Sequence, residues 1–271
     1  MLFRRLPIFR RFFLLYLLCI VLSAVCAAVE PSTASVAAFN AYANSVESQL
    51  ACQHHSPESF LAPPAPQSEA RLHRGELVIE RLTPSTSPAL AGAALYHWRG
   101  TAFAPGATAA DFERLMKDFN SYPRHFSPQV LETRVLTQDG NHLQVSMRVR
   151  QQHVLTVVLD TTYDVTFGHL DPTHGYSLSR SVRIAEVAAP GTSTEHTLST
   201  DEEHGFLWRQ NTYWSYEERD GGLYMQIESI SLTRSIPTGL GWAIGPYVES
   251  IPRDSLEFTL RATCNGLRRP R

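Results

Sequence analysis

The spacing of apolar residues changes period along the chain. Val36, Phe39, Ala43, Val46 and Leu50 recur at three- and four-residue steps, with Asn40, Asn44, Glu47 and Gln49 between them. That period predicts an amphipathic helix over 33–53, within an N-terminal segment 29–56. Pro57, Pro63, Pro64 and Pro66 then predict an extended, proline-rich linker over 57–74. Gly75–Leu82 reads as a strand, Pro84–Gly92 as a loop and Ala94–Phe103 as a second strand. Thr108, followed three residues later by Asp111, is a weak capping box. It opens a helix whose apolar face is Phe112, Leu115, Met116 and Phe119, and a second short helical segment is expected around Ser121–Phe126.

After Pro128 the period falls to two. Val130–Leu136, Leu143–Val149, Val154–Phe167, Tyr176–Ile184, Phe206–Glu217 and Leu223–Arg234 read as antiparallel strands, with turns at Asp139-Gly140 and Asp220-Gly221-Gly222. Ser250 then caps a final helix with Pro252 in its first turn, Leu256, Leu260, Thr263 and Leu267 on one face and Phe258 beside it. No internal repeat is present. The fold class is α+β. A bent antiparallel sheet with an apolar face needs a cover, and the C-terminal helix is the long one this pattern supplies.

The first residues follow a different logic. Arg4, Arg5, Arg10 and Arg11 precede an unbroken apolar or small run from Phe12 to Val25, followed by Cys26-Ala27-Ala28. This is the order of a secretory signal over 1–28, with an uncleaved anchor or a lipidated Cys26 as alternatives. Its removal takes four arginines and no acids from a chain with 24 basic and 26 acidic residues, leaving a net charge of −6. No basic field argues for nucleic acid. The 10% aromatic content excludes a mostly disordered chain, and the single long apolar run excludes a polytopic membrane protein. An exported protein of the periplasm or cell envelope is expected.

Arg180 shares its alternation with Tyr176, Leu178, Val182 and Ile184, which predicts that it points inward. A buried guanidinium requires a partner, and Glu228 is a plausible one, either as a ligand anchor or as a self-satisfied pair. An even-length loop at Asp220 pairs Tyr213 with Glu228 and Trp214 with Ile227; an odd-length loop brings Trp214 opposite Glu228. Tyr163, Tyr176, Trp208, Tyr213, Trp214, Tyr216 and Trp242 either line a pocket or fill the core. Gly239, Gly241 and Gly245 lack the strand context of a phosphate loop and fit close packing or a gate. Cys52 and Cys264 either pair, tying the N-terminal helix to the C-terminal one, or remain two buried thiols. The eleven histidines lack metal-ligand spacing and read as solvated. No nucleophile elbow or Cys–His arrangement occurs, and neither Asp160 nor Asp164 pairs with a base.

The segment Asp111-Phe-Glu-Arg-Leu-Met-Lys-Asp-Phe-Asn-Ser-Tyr-Pro123, the strand Leu223–Arg234 and Ile236-Pro237 before the last helix resemble the START-like, or SRPBCC, superfamily. The resemblance covers about 94–267 and implies the helix-grip fold, a curved antiparallel sheet wrapped around a long C-terminal helix, within a unit 75–267. It also implies a cavity between sheet and helix that holds a hydrophobic molecule. On this reading Arg180, Glu228, Tyr163, Tyr176, Leu178, Val182, Trp214 and Trp242 contact a lipid or lipid-like ligand. No metal or cofactor and no nucleic-acid partner is expected, and transient membrane contact suits a carrier. The alternatives are a cyclase-type enzyme using the same cavity, or an envelope interaction protein with a collapsed cavity whose helix 33–53 docks a partner.

Overall fold

A computed structural model describes residues 30–63, 67–83, 90, 92–152, 156–236 and 241–268, excluding the side chains of 241–249. The secretory-signal reading of 1–28 and Gly239 of the proposed gate lie outside the described residues.

Helix α1 (Thr33–Gln53) begins with Ser32, whose Oγ accepts from the Ser35 amide. A short 3-10 turn, Pro57–Ser59, and helix α2 (Ser68–His73) follow. Strands β1 (Val78–Arg81) and β2 (Ala93–Pro105) lead to α3 (Ala109–Lys117) and α4 (Tyr122–His125). The Thr108–Asp111 capping box is complete at the start of α3. Then come β3 (Val130–Asp139), β4 (His142–Gln152), β5 (Thr156–Asp171), β6 (His174–Ala188), the two-residue β7 (His196–Thr197), β8 (Arg209–Arg219) and β9 (Gly222–Arg234). Helix α5 (Gly241–Arg268) ends the fold. It starts nine residues before the expected Ser250 cap and runs through Pro246 and Pro252. Each proline removes one backbone hydrogen bond without breaking the helix, because packing on the sheet outweighs the local preference.

The sheet order is β1-β2-β9-β8-β6-β5-β4-β3, with β7 beside β6, and every pairing is antiparallel. The β8–β9 turn sets the register at the centre. Arg219 pairs with Gly222, leaving Asp220 at φ 55° and Gly221 at φ 72°. Two left-handed residues make the tight primed turn that matches strand twist. The even register follows: Tyr213 lies opposite Glu228, and Trp214 opposite Ile227.

The sheet curves around α5, and this concave face carries the larger core. Phe112 and Met116 of α3, Val145, Val165, Trp214, Met225 and the α5 residues Leu256 and Leu260 pack together. Helix α5 crosses β2 at Gly100, where a Cβ would lie 2.5 Å from Leu256 Cδ2 and from Leu260 Cδ1. Glycine there permits the close helix–sheet approach.

The opposite, convex face is covered too. Phe39, Ala43, Val46 and Leu50 of α1 pack on Trp208, Tyr213, Ile230 and Leu232. The segment expected to be an extended linker is also anchored. Phe60 and Leu72 are fully buried, and Gln226 clamps Ala62 by accepting from its amide at 3.0 Å and donating to its carbonyl at 3.1 Å. Proline content alone signalled an open tether; the buried apolar residues among those prolines dock the segment instead.

Candidate functional site

A cavity of about 230 Å³ lies between the concave face and α5. Phe119, Tyr122 and Phe126 from the α3–α4 region, Met147 and Val149 of β4, and Ile251, Pro252 and Leu256 of α5 provide its apolar lining. Tyr163, Val165 and Phe167 of β5 and Trp214 of β8 extend it. The floor between them is polar: Ser177 and Ser179 of β6, Gln210 and Thr212 of β8, and Ser229, Ser231 and Thr233 of β9 all line the same space. The described lining carries no carboxylate, imidazole or thiol. Burial pushes the Tyr163 phenol up to about 12, and its hydroxyl donates to Gln210 Oε1 at 3.0 Å.

Two of the expected ligand contacts, Tyr163 and Trp214, line this cavity. Tyr176, Leu178 and Arg180 belong to the convex face, and Val182 sits at the bulge in the β5–β6 pairing, between Ser181 and Arg183. Tyr176 stacks on His54 at the end of α1, ring centroids 4.5 Å apart. Leu178 packs against the α1 cluster, and Val182 is 49% exposed. Arg180 is half-exposed and makes a two-point contact with Glu47 of α1, Nε at 2.7 Å from Oε1 and Nη2 at 2.6 Å from Oε2. The expected inward direction is therefore reversed for Tyr176, Leu178 and Arg180, whereas Ile184, past the bulge at Val182, is buried against Leu159 and Leu207. The sheet has a cover on each face, so the apolar phase of β6 meets α1 while Ser177 and Ser179 face the cavity. Trp242 lies in the first turns of α5, where side chains are outside the described residues.

Glu228 does not pair with Arg180. It is buried on the convex face, where it accepts from His97 Nε2 and from Arg99 Nε, each at 2.8 Å. Burial alone would raise its pKa, but the His97 hydrogen bond and the Arg99 charge outweigh that and hold it below the usual carboxylate value. With the ring proton on Nε2, His97 Nδ1 accepts from the Tyr42 hydroxyl at 2.9 Å, which ties the network to α1. Beside it, the Tyr213 hydroxyl donates to Glu47 Oε1 at 2.8 Å and accepts from Asn211 Nδ2 at 3.0 Å. These polar groups dock α1; none lines the cavity.

Other expectations resolve by position. Trp208 and Tyr213 belong to the convex core, and Tyr216 packs on Phe112 in the concave one. Cys52 is exposed on α1 and Cys264 is buried in the concave core, so the sheet stands between two free thiols and the disulfide does not form. His97 and His174 are buried and hydrogen-bonded rather than solvated. Asp160 accepts two hydrogen bonds from Arg148, and Asp164 accepts one from Gln144. Among the described residues, Glu69, His73 and Asp220 have metal-ligand spacing. Arg219 already pairs with both carboxylates, and Tyr224 hydrogen-bonds to His73.

The polar cavity floor was missed in the sequence. Its signal was present in the serines at 177, 179 and 181, but their phase reads as solvent-facing while the sheet is given a single cover.

No protein-family model matches the chain, and no curated protein does. Solved structures to which it is similar include the Zhui aromatase/cyclase of Streptomyces sp. R1128, at 13% identity over 65% of this chain and 95% of that one, TM-score 0.43. A STAR-related lipid transfer protein of Xanthomonas axonopodis is similar at 17% identity over 70% and 99%, TM-score 0.42. Human STARD10 is similar at 10% identity over 77% and 82%, TM-score 0.42. What those proteins bind does not carry over at such identity, and the architecture rests on this chain's own elements. By its strand order, and by the long C-terminal helix held across the concave face, the chain has a helix-grip fold, a curved antiparallel sheet wrapped around that helix.

Proposed function

We propose that this chain is an exported binding or transport protein for a hydrophobic small molecule held between the sheet and α5. The observation that carries this reading is the cavity itself, about 230 Å³, with a mainly aromatic and aliphatic lining. Its volume lies just below the roughly 300–1,000 Å³ of drug-sized sites, which suits a compact ligand over a lipid with two long acyl chains. Affinity comes from removing apolar ligand surface from water, at about 25 cal/mol per Å². The ionisable groups among the described lining residues are Arg150 and the Tyr122 and Tyr163 phenols, both pushed up by burial. With no carboxylate, imidazole or thiol to pair with them, the lining favours holding a ligand over acid–base chemistry on it. An open cavity also argues against a purely interactive role, and α1, the docking element of that role, is engaged by its own sheet. Export rests on the order of charge, apolar run and small residues over 1–28.

Native mass spectrometry of the protein purified from its own envelope fraction tests both parts. A retained, organically extractable mass on a chain lacking about 28 N-terminal residues supports the reading. A bare chain that gains no mass from an envelope lipid and metabolite extract overturns binding. A chain that keeps its N-terminus and is recovered with the cytoplasm overturns export.

A further inference from the structure

The cavity floor has a regular polar geometry that a purely hydrocarbon ligand would leave unsatisfied. Ser179 of β6 lies opposite Thr212 of β8, and Thr212 lies opposite Ser229 of β9. These three hydroxyl residues form one rung across three neighbouring strands, spaced about 4.8 Å apart. Two residues further along β8, Gln210 lies opposite Ser231 of β9, and its backbone amide donates to Ser181 Oγ at 2.9 Å. Tyr163 of β5 lies opposite Ser181 and donates to the Gln210 side chain, completing a second rung. The rungs are separated by two residues of rise, about 7 Å. Beyond the first rung the floor becomes more apolar, with Trp214 between Ile227 of β9 and Ser177 of β6.

The side chains on these rungs are underused by the protein. Ser179, Thr212 and Ser231 make no side-chain hydrogen bond to any described residue. Gln210 Oε1 accepts from the Tyr163 hydroxyl, while its Nε2 makes only a long contact of 3.4 Å to Ser229 Oγ. A hydroxyl facing a mainly apolar cavity costs free energy unless a partner reaches it, so water or oxygens on the ligand must do so. The facing wall offers mainly hydrocarbon, from Ile251, Pro252 and Leu256. Of its two hydroxyl residues, Thr259 turns Oγ1 back onto the Ser255 carbonyl at 2.9 Å, which leaves the Ser255 side chain as the polar group on this side. The two sides of the cavity thus demand different chemistry.

We propose that the ligand is a compact molecule with two or more hydroxyl or carbonyl oxygens along one edge, about 5–7 Å apart, and a hydrocarbon opposite edge. The oxygen-bearing edge lies on the rungs of Ser179–Thr212–Ser229 and Ser231–Gln210, and the hydrocarbon edge faces α5. This deepens the binding reading above and rests on it. A saturated acyl chain satisfies neither rung and is disfavoured.

Calorimetric titration of the purified protein with naphthalene and with 2,7-dihydroxynaphthalene separates the two claims. Both probes share one ring system, and the second carries an oxygen at each end of one edge. The expected result is tighter binding of the dihydroxy probe by about tenfold or more, since two or three net hydrogen bonds are gained. In a variant combining Ser179→Ala, Thr212→Val and Ser231→Ala, near-isosteric changes that leave the apolar lining intact, that preference should fall to about threefold or less. Naphthalene should bind this variant at least as well as it binds the wild type. Equal affinity of the two probes for the wild-type protein overturns the proposal and leaves the binding reading standing. So does a preference that survives the triple substitution. Binding of neither probe overturns the proposal, and the mass spectrum of the native protein then decides the broader reading on its own. The wild-type comparison needs no variant to fold.

Discussion

Glu228 offers the sharpest test of which face of the sheet does what. Its carboxylate is buried and accepts from His97 Nε2 and Arg99 Nε, each at 2.8 Å. Glu228→Ala removes the acceptor from both donors and leaves the Arg99 guanidinium, only 15% exposed, without its counter-charge. Breaking a buried ion pair from one side costs about 3–5 kcal/mol, because the remaining charge keeps its desolvation penalty. For a chain of this size, each kcal/mol moves the midpoint by roughly 2–4 °C, so a drop of roughly 6–20 °C is expected. Urea denaturation at neutral pH and a thermal scan of the same samples measure it. The pH dependence has a defined sign. The folded-state pKa of Glu228 is lowered, so its contribution is fully present above the unfolded glutamate value of about 4.3 and is lost as pH falls through the folded value. The gap between wild type and variant should therefore stay constant through neutral pH and narrow in acid. Ligand affinity of the folded variant should be unchanged, because Glu228 faces away from the cavity. A stability loss under about 1 kcal/mol would refute the buried-pair argument. A loss of affinity at full stability would return Glu228 to the ligand.

Parity along the strands can be tested from the other side. Leu178→Arg and Val182→Arg should leave ligand uptake by folded protein intact, whereas Ile227→Arg, which puts a charge into the cavity floor, should abolish it in the same equilibrium assay. Burial is the largest influence on His54 and lowers its pKa to about 4, so it stays neutral while stacked on Tyr176 and bonded to Ser215. A folded value below the unfolded one, about 6.5, means that its stabilising contribution is full above that pH and declines as pH falls toward 4. His54→Phe should flatten that part of the stability–pH curve, and an unchanged slope would count against the assignment. A maleimide reagent should label Cys52 in the folded protein and reach Cys264 only after denaturation, and the intact mass should show no two-dalton deficit. Equal labelling of both thiols would contradict the burial of Cys264.

The element order was legible because it depends on local pattern. Period-two alternation marked each long strand, the Thr108–Asp111 pair marked the start of α3, and Leu256, Leu260 and Thr263 marked the buried stripe of α5. Asp220-Gly221 was legible as a turn, and its capacity for two left-handed residues selected one of the two registers left open. The candidate site was legible only in part. Tyr163 and Trp214 were identified, whereas Arg180, Leu178 and Tyr176 were assigned to the wrong face and Val182 falls at a bulge that breaks the alternation.

That division has one physical cause. Alternation specifies that successive side chains point to opposite faces, and it carries no information about which face a distant segment will cover. Phe39 and Leu50 lie more than a hundred residues before β6 in the chain, yet the helix they belong to covers Leu178 on one face and leaves Ser177 and Ser179 for the cavity on the other. Glu47 meets Arg180, and Tyr42 reaches the His97–Glu228 pair, only once α1 has docked. Sequence by itself determined the long strands, their turns and helices α1, α3, α4 and α5, while α2 and the short β7 emerged only in the fold. Tertiary packing of α1 and α5 on opposite faces decided which side chains could meet a ligand, because inside and outside exist for a sheet only when its covers are in place.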